Sequence, residues 1–236
     1  MHKKLSNLSK EDFESGVVLL INKEINWTSF DVVKKIKNLL KEKFSFKKIK
    51  VGHAGTLDPL ATGLLVVCTG KSTKMISEIQ NQKKEYTGEL TMGATTPSYD
   101  LETEIDNRYD ISNISESDIF SKTKLFIGEV FQKPPIFSAI KVKGERLYEK
   151  ARRGEKINIK KRKITIYNFK LTKILLPKIH FIIECSKGTY IRSIAHDFGK
   201  SLNNGAHLSK LVRTKIGEFD LKDAKSIIEF ENELNQ

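Results

Sequence analysis

The chain has 236 residues, 39% of them hydrophobic and 30% charged, with a formal net charge of +13. That composition excludes a disordered chain, and a protein this long buries about 70–75% of its unfolded surface without disulfides or a structural metal. No apolar run approaches the ~20 residues of a membrane span, and residues 1–12 lack the apolar core of a signal peptide, so the expected location is the cytoplasm.

In chain order, residues 1–15 read as a loose polar arm. GVVLLIN at 16–22 is a short apolar run and a predicted buried strand. Thr28 and Asp31 make a T-x-x-D capping signal, and Phe30, Val33, Ile36 and Leu40 follow at helical spacing, predicting a helix over residues 29–43. Residues 52–63 carry too much Gly and Pro for regular structure and are a predicted loop. A buried strand at 64–69, a short helix at 72–79 and a strand at 86–92 come next, then a polar surface loop at 95–106 and a helix at 115–125. A short basic helix is expected at 144–153. Residues 164–175 and 179–186 read as a strand pair hinged at Pro177, 190–201 as a helix, 208–219 as extended chain and 223–234 as a final helix. Cys68 and Cys185 each sit in an apolar strand-like run, which predicts reduced, buried thiols. Strands and helices mix without a regular βαβ rhythm. The expected class is α+β, with a mixed, mostly antiparallel central sheet flanked by helices, and the expected organisation is one domain over residues 16–236.

The positive charge points to a polyanionic partner, either nucleic acid or an anionic membrane surface. It is densest over residues 141–163, where eleven Lys/Arg face three Glu, a local net of +8. Such a patch suits phosphate contacts; a solvated helix face is the plainer reading.

The stretch GHAGTLDPLATG at 52–63 is the most informative one. Its glycines allow close backbone approach, and Pro59 biases Asp58 toward extended backbone angles. On these residues alone two readings of Asp58 stand: a reactive carboxylate on a rigid scaffold, or a turn residue that caps backbone N–H groups.

This loop resembles the signature of the bacterial tRNA pseudouridine-55 synthases, the TruB family. Four further segments resemble family motifs in family order: Lys84-Glu85-Tyr86; Gln132-Lys133-Pro134-Pro135 with Phe137 to Lys141 and then Gly144, Tyr148 and Ala151-Arg152; Cys185 through Arg192; and Gly205 through Leu208 leading to Leu211-Val212-Arg213-Thr214. The resemblance implies the pseudouridine synthase fold and isomerisation of a T-loop uridine in tRNA, in which the base is detached, rotated and rejoined to the ribose through carbon. It makes Asp58 the catalytic carboxylate and Arg192 its forked partner. Tyr86 stacks on the target base and, in one version of the mechanism, removes a ribose proton. The uridine must be flipped from its stack, and His53 resembles the histidine that fills the vacated space. Lys23 and Tyr190 support the pocket, and Leu211 lines it. Without the resemblance, Arg192 reads as surface charge and Tyr86 as a core aromatic. No metal and no cofactor are implied. The implied partner is the T-arm of tRNA, bound by a monomer. The chain departs from the family pattern at Glu24, where proline is usual, and at Val212, where arginine is common. It also ends soon after residue 219, where many members carry a further RNA-binding (PUA) domain, so a catalytic core alone is expected.

Other chemistries fit poorly. Gly70-Lys71-Ser72-Thr73 mimics the end of a phosphate-binding loop, but Leu65 stands where that motif needs glycine. The five histidines are scattered, without metal-ligand spacing, and no G-x-S-x-G elbow occurs. The rival from another class is a tRNA-binding or folding chaperone on a synthase-like fold. An intact Asp58, Tyr86 and Arg192 trio weighs against it.

Overall fold

The computed structural model describes residues 4–138, 140–142, 144–155 and 157–236. Its elements in chain order are α1 (Lys10–Ser15), β1 (Val18–Lys23), α2 (Ser29–Phe44), β2 (Val51–His53), β3 (Thr62–Thr69), α3 (Ile76–Asn81), β4 (Lys84–Met92), β5 (Ala94–Thr95) and β6 (Asn107–Arg108). After these come α4 (Glu116–Thr123), β7 (Gly128–Gln132), β8 (Lys141–Val142), β9 (Glu145–Arg146), α5 (Leu147–Arg152), β10 (Arg162–Leu175), β11 (Lys178–Cys185), α6 (Ile191–Ser201), β12 (Ala206–Ile216), β13 (Phe219–Asp220) and α7 (Ile227–Asn235). The class is α+β and the strand pairing is mixed but mostly antiparallel, as the sequence predicts. The chain forms two compact units, Met1–Tyr86 with Val212–Gln236 and Thr87–Leu211.

In the first unit β1 runs antiparallel to β3, from Val18 opposite Cys68 to Lys23 opposite Gly63. The end of β12 lies parallel to β3, with Val212 opposite Thr62 and Arg213 opposite Gly63. Both faces of β3 are covered. Leu65 and Val67 face a cluster that includes Val32, Ile36 and Leu40 of α2 and Ile227, Phe230 and Leu234 of α7. Leu64, Val66 and Cys68 face a second cluster with Ile79 and Ile216. A strand buried on both sides reads as a continuous apolar run, and that is what TGLLVVCT shows. The α2 helix starts where its capping signal put it: the Thr28 hydroxyl accepts from Asp31 N–H while the Asp31 carboxylate accepts from Thr28 N–H. A cap of this kind contributes about 1 kcal/mol, and each fully buried aliphatic on the helix's inner face about 1.5–3 kcal/mol.

One expectation fails here. Residues 4–15 are not a loose arm: Ser9 and Asp12 cap α1 reciprocally, Leu5 N–H donates to Glu233 Oε1 at 3.0 Å, and Phe13 is fully buried against Phe44. One apolar residue per turn within a polar stretch gives too weak a period to be read from sequence.

In the second unit the strand order is β12, β4, β11, β10, β7. The β10–β11 hairpin turns at residues 176–177, as Pro177 suggested. Phe126, Phe169, Phe181 and Phe198 form its aromatic core, with ring centroids 5.5–6.2 Å apart. Strand β7 was not expected. It is an edge strand with alternate residues exposed, Phe131 among them, so it lacks a buried strand's hydrophobic signature. Cys68 and Cys185 are both buried and unbridged, as expected.

Candidate active site

The loop that carries Asp58 is pinned from several directions within the first unit. The Ser29 hydroxyl accepts the Leu57 N–H at 2.8 Å and lies 3.2 Å from the Leu57 carbonyl. Pro59 carbonyl accepts Asn26 N–H at 2.8 Å and the Lys23 ammonium at 3.3 Å. Asp58's own carbonyl closes a turn onto Ala61 N–H at 3.1 Å. Arg213, almost wholly buried, donates from Nε to the Leu64 carbonyl at 2.8 Å, from Nη2 to Gly55 at 3.0 Å and from Nη1 to Thr56 at 3.4 Å. Gly63 must be glycine for this arrangement: its φ is +100°, and a Cβ there would stand 2.4 Å from the Arg213 carbonyl oxygen. With the loop backbone so satisfied, the half-buried Asp58 carboxylate sits on a scaffold with little freedom to move.

Lys23 lies beneath this loop with no exposed surface. Its three protons go to the carbonyls of Trp27 at 2.7 Å, Glu24 at 2.9 Å and Pro59 at 3.3 Å. Burial pushes its pKa down from 10.5 to about 8, while the Asp58 carboxylate nearby favours the charged form. Lys23 therefore supports the loop from within and offers no surface to RNA. Glu24, in place of the family's proline, still permits the turn; Asn26 supplies the left-handed residue, at φ 67°. His53 is half-buried at the end of β2, and its pKa is held below the ordinary value first by burial and then by the Arg213 charge, which keeps the imidazole neutral. Tyr86 on β4 is buried, on the opposite pleat from Glu85, which takes the Thr214 hydroxyl at 2.8 Å.

The second unit holds Tyr190, Arg192 and Leu211. The buried Gln132 side chain bonds both ways with the backbone of Tyr190, accepting its N–H at 2.8 Å and donating to its carbonyl at 3.0 Å, which fixes the entry to α6. Arg192, on the first turn of that helix, is buried. Its guanidinium donates to the Phe137 carbonyl at 2.9 Å and the Ser98 carbonyl at 3.3 Å, and pairs with Asp100 at 3.4 Å. A buried cation needs such partners. Tyr99, between the last two, has φ 66°, a left-handed backbone that costs a bulky residue about 1–3 kcal/mol. Leu211 is buried on β12.

The basic patch is partly neutralised. Arg153 pairs with both Glu145 and Glu155, Lys150 pairs with the same two, Lys163 with Glu129 and Arg152 with Glu102. Lys143, Lys156 and the Lys141 side chain lie outside the described residues.

Sequence reading gave no role to Ser29, Gln132 or Arg213, although all three hold the candidate residues in place. Only Arg213 left a signal: it falls on the apolar pleat of β12, two residues after Leu211, where a charge requires buried partners.

The profile described as "TruB family pseudouridylate synthase (N terminal domain)" matches residues 41–191. The chain is 58% identical over 228 residues to a Flavobacterium johnsoniae protein named tRNA pseudouridine synthase B, covering 96% of this chain and 100% of that one. A Parabacteroides distasonis protein of the same name is 50% identical over 225 residues, covering 95% of this chain and 96% of its own. Among solved structures, a Cbf5-Nop10-Gar1 complex superposes with a TM-score of 0.70 at 25% identity, over 98% of this chain and 58% of that one. An H/ACA RNP bound to a substrate RNA containing 2'-deoxyuridine gives 0.69 at 24% identity, over 97% and 56%, a likeness of fold alone. The chain spans little more than half of those two solved chains but nearly the whole of its curated relatives. This chain belongs to the TruB family of pseudouridylate synthases.

Proposed function

We propose that the protein isomerises uridine to pseudouridine in tRNA, at position 55 of the T-loop, with Asp58 as the catalytic carboxylate. The observation that carries this is the Asp58 loop, whose backbone is held by Ser29, Lys23, Asn26 and Arg213 while Asp58 itself is only partly buried. Ser29, Asn26 and Arg213 all bond to the backbone of this loop and fix its course.

The reaction breaks the N1–C1′ bond and forms C5–C1′, while one proton leaves C5 and one arrives at N1. Atoms and electrons balance within the nucleotide, so the step calls for no redox partner or group donor. An ionised carboxylate supplies the anion that covalent or proton-transfer chemistry requires. Arg192 orients Asp58 through its planar fork, Tyr86 stacks on the base, and His53 takes the space left by the flipped uridine. Tyr190 and Leu211 complete the pocket wall. A monomer acting in the cytoplasm on the tRNA T-arm, without metal or cofactor, completes the proposal. Among the described residues no helix is long and apolar enough to cross a membrane.

The test is to incubate the purified protein with an unmodified tRNA transcript and map pseudouridine by chemical labelling. Conversion of the T-loop uridine is expected. Tight binding without conversion would instead favour a folding chaperone.

A further inference from the structure

Arg192 and His196 lie four residues apart on α6, so they project from the same face one turn apart. Each meets the same short segment. The Ser98 carbonyl and the Asp100 carboxylate take the Arg192 guanidinium, and the ring of Tyr99, the residue between them, stacks on the His196 imidazole at 3.8 Å and 14°. This segment is tightly turned: Thr96 and Ser98 hydroxyls both donate to the Asp100 carbonyl, and the Tyr99 carbonyl accepts Leu208 N–H at 2.9 Å. Tyr99, at the centre of this turn with one Arg192 partner on each side, has a left-handed backbone at φ 66°.

We infer that the Tyr99–His196 stack is a positioning device for Arg192, clamping the 98–100 turn onto α6 so that the two guanidinium partners on that turn, the Ser98 carbonyl and the Asp100 carboxylate, stay in register. The inference rests on the proposed role of Arg192 and extends it to two residues that touch neither substrate nor Asp58 in that scheme. Several features support it. A tyrosine is a poor choice for a left-handed backbone, where Gly or Asn is the low-cost residue, so the ring must contribute something the backbone does not require. His196 is held neutral, its pKa lowered to about 4 chiefly by burial and then by the Lys200 charge. A neutral imidazole can lie one turn from a buried guanidinium without repelling it.

The experiment measures single-turnover rate and tRNA affinity for Tyr99→Gly, His196→Ala and His196→Phe. Tyr99→Gly suits the backbone but deletes the ring; His196→Phe keeps a stacking partner. Loss of the ring should slow turnover about ten- to a hundred-fold, as small misplacements of catalytic groups do, with the tRNA Kd near the wild-type value. His196→Ala should behave likewise, and His196→Phe should recover most of the rate. The same Tyr99→Gly change is then made on an Arg192→Lys background. A device that acts through Arg192 costs little more there, whereas a merely structural role costs the same on both backgrounds and overturns the inference. A Tyr99→Gly enzyme with wild-type turnover also overturns it. Should Arg192→Lys itself turn over at the wild-type rate, the role proposed for Arg192 fails, and this inference with it.

Discussion

Replacing Arg213 by methionine should separate the strength of the loop scaffold from its chemistry. The side chain keeps an unbranched apolar stem but loses the guanidinium. Two good acceptors are then orphaned, Leu64 at 2.8 Å and Gly55 at 3.0 Å; the third bond, to Thr56 at 3.4 Å, is long and its residue exposed, so water replaces it. A buried acceptor left unsatisfied costs about 1–3 kcal/mol, and removing a buried cation returns part of its desolvation cost. The net loss is therefore about 3 kcal/mol, with the Leu64 carbonyl, wholly enclosed on β3, contributing most. For a chain of this length that lowers Tm by roughly 6–12 °C. The loop at 55–56 also loses its tether, so kcat should fall about a hundred-fold, well below the melting temperature and with little change in tRNA affinity. Calorimetry and single-turnover kinetics on the purified variant give both numbers. A variant that melts near the wild-type temperature and turns over normally would refute the view that Arg213 fixes the loop.

Lys23 gives a pH signature. Its folded pKa of about 8 lies below the ordinary 10.5, so between those values the unfolded chain holds more protons and this residue raises stability as pH rises. Turnover should nonetheless decline above about pH 8, because a neutral amine has two N–H groups for three carbonyls. The alkaline limb should vanish in Lys23→Met, and an unchanged limb there removes Lys23 as its origin. Binding of tRNA should weaken with salt by about 0.7–0.9 log units per log unit of salt for each phosphate contacted. Changing Lys160, Lys161, Arg162 and Lys163 to alanine should flatten that slope; the same slope in the variant would make these residues a solvated face.

Local signals and long-range ones were unequally legible in the sequence. The α2 start at Thr28 and the turn at Pro177 are local, set by capping and by one residue's fixed geometry, and both stand where they were read. The Asp58 loop was legible because twelve adjacent residues of unusual composition carry it. Its support was not: Ser29 lies 28 residues from Leu57, and Arg213 lies 158 from Gly55. Neither spacing has a periodic signature, since tertiary hydrogen bonds leave no pattern in the chain. Strand β7 and helix α1 were missed for a related reason, as each buries too few residues to impose its period.

The central claim is that Asp58 supplies the anion of the reaction, and Asp58→Asn tests it most directly. The amide is nearly isosteric with the carboxylate, and the substitution leaves in place the groups of Ser29, Asn26 and Arg213 that bond the loop backbone. Fold and tRNA affinity should therefore remain while pseudouridine formation at the T-loop uridine disappears under single-turnover conditions. Turnover by the Asp58→Asn enzyme within about ten-fold of wild type, less than the loss of a covalent nucleophile allows, would contradict the account.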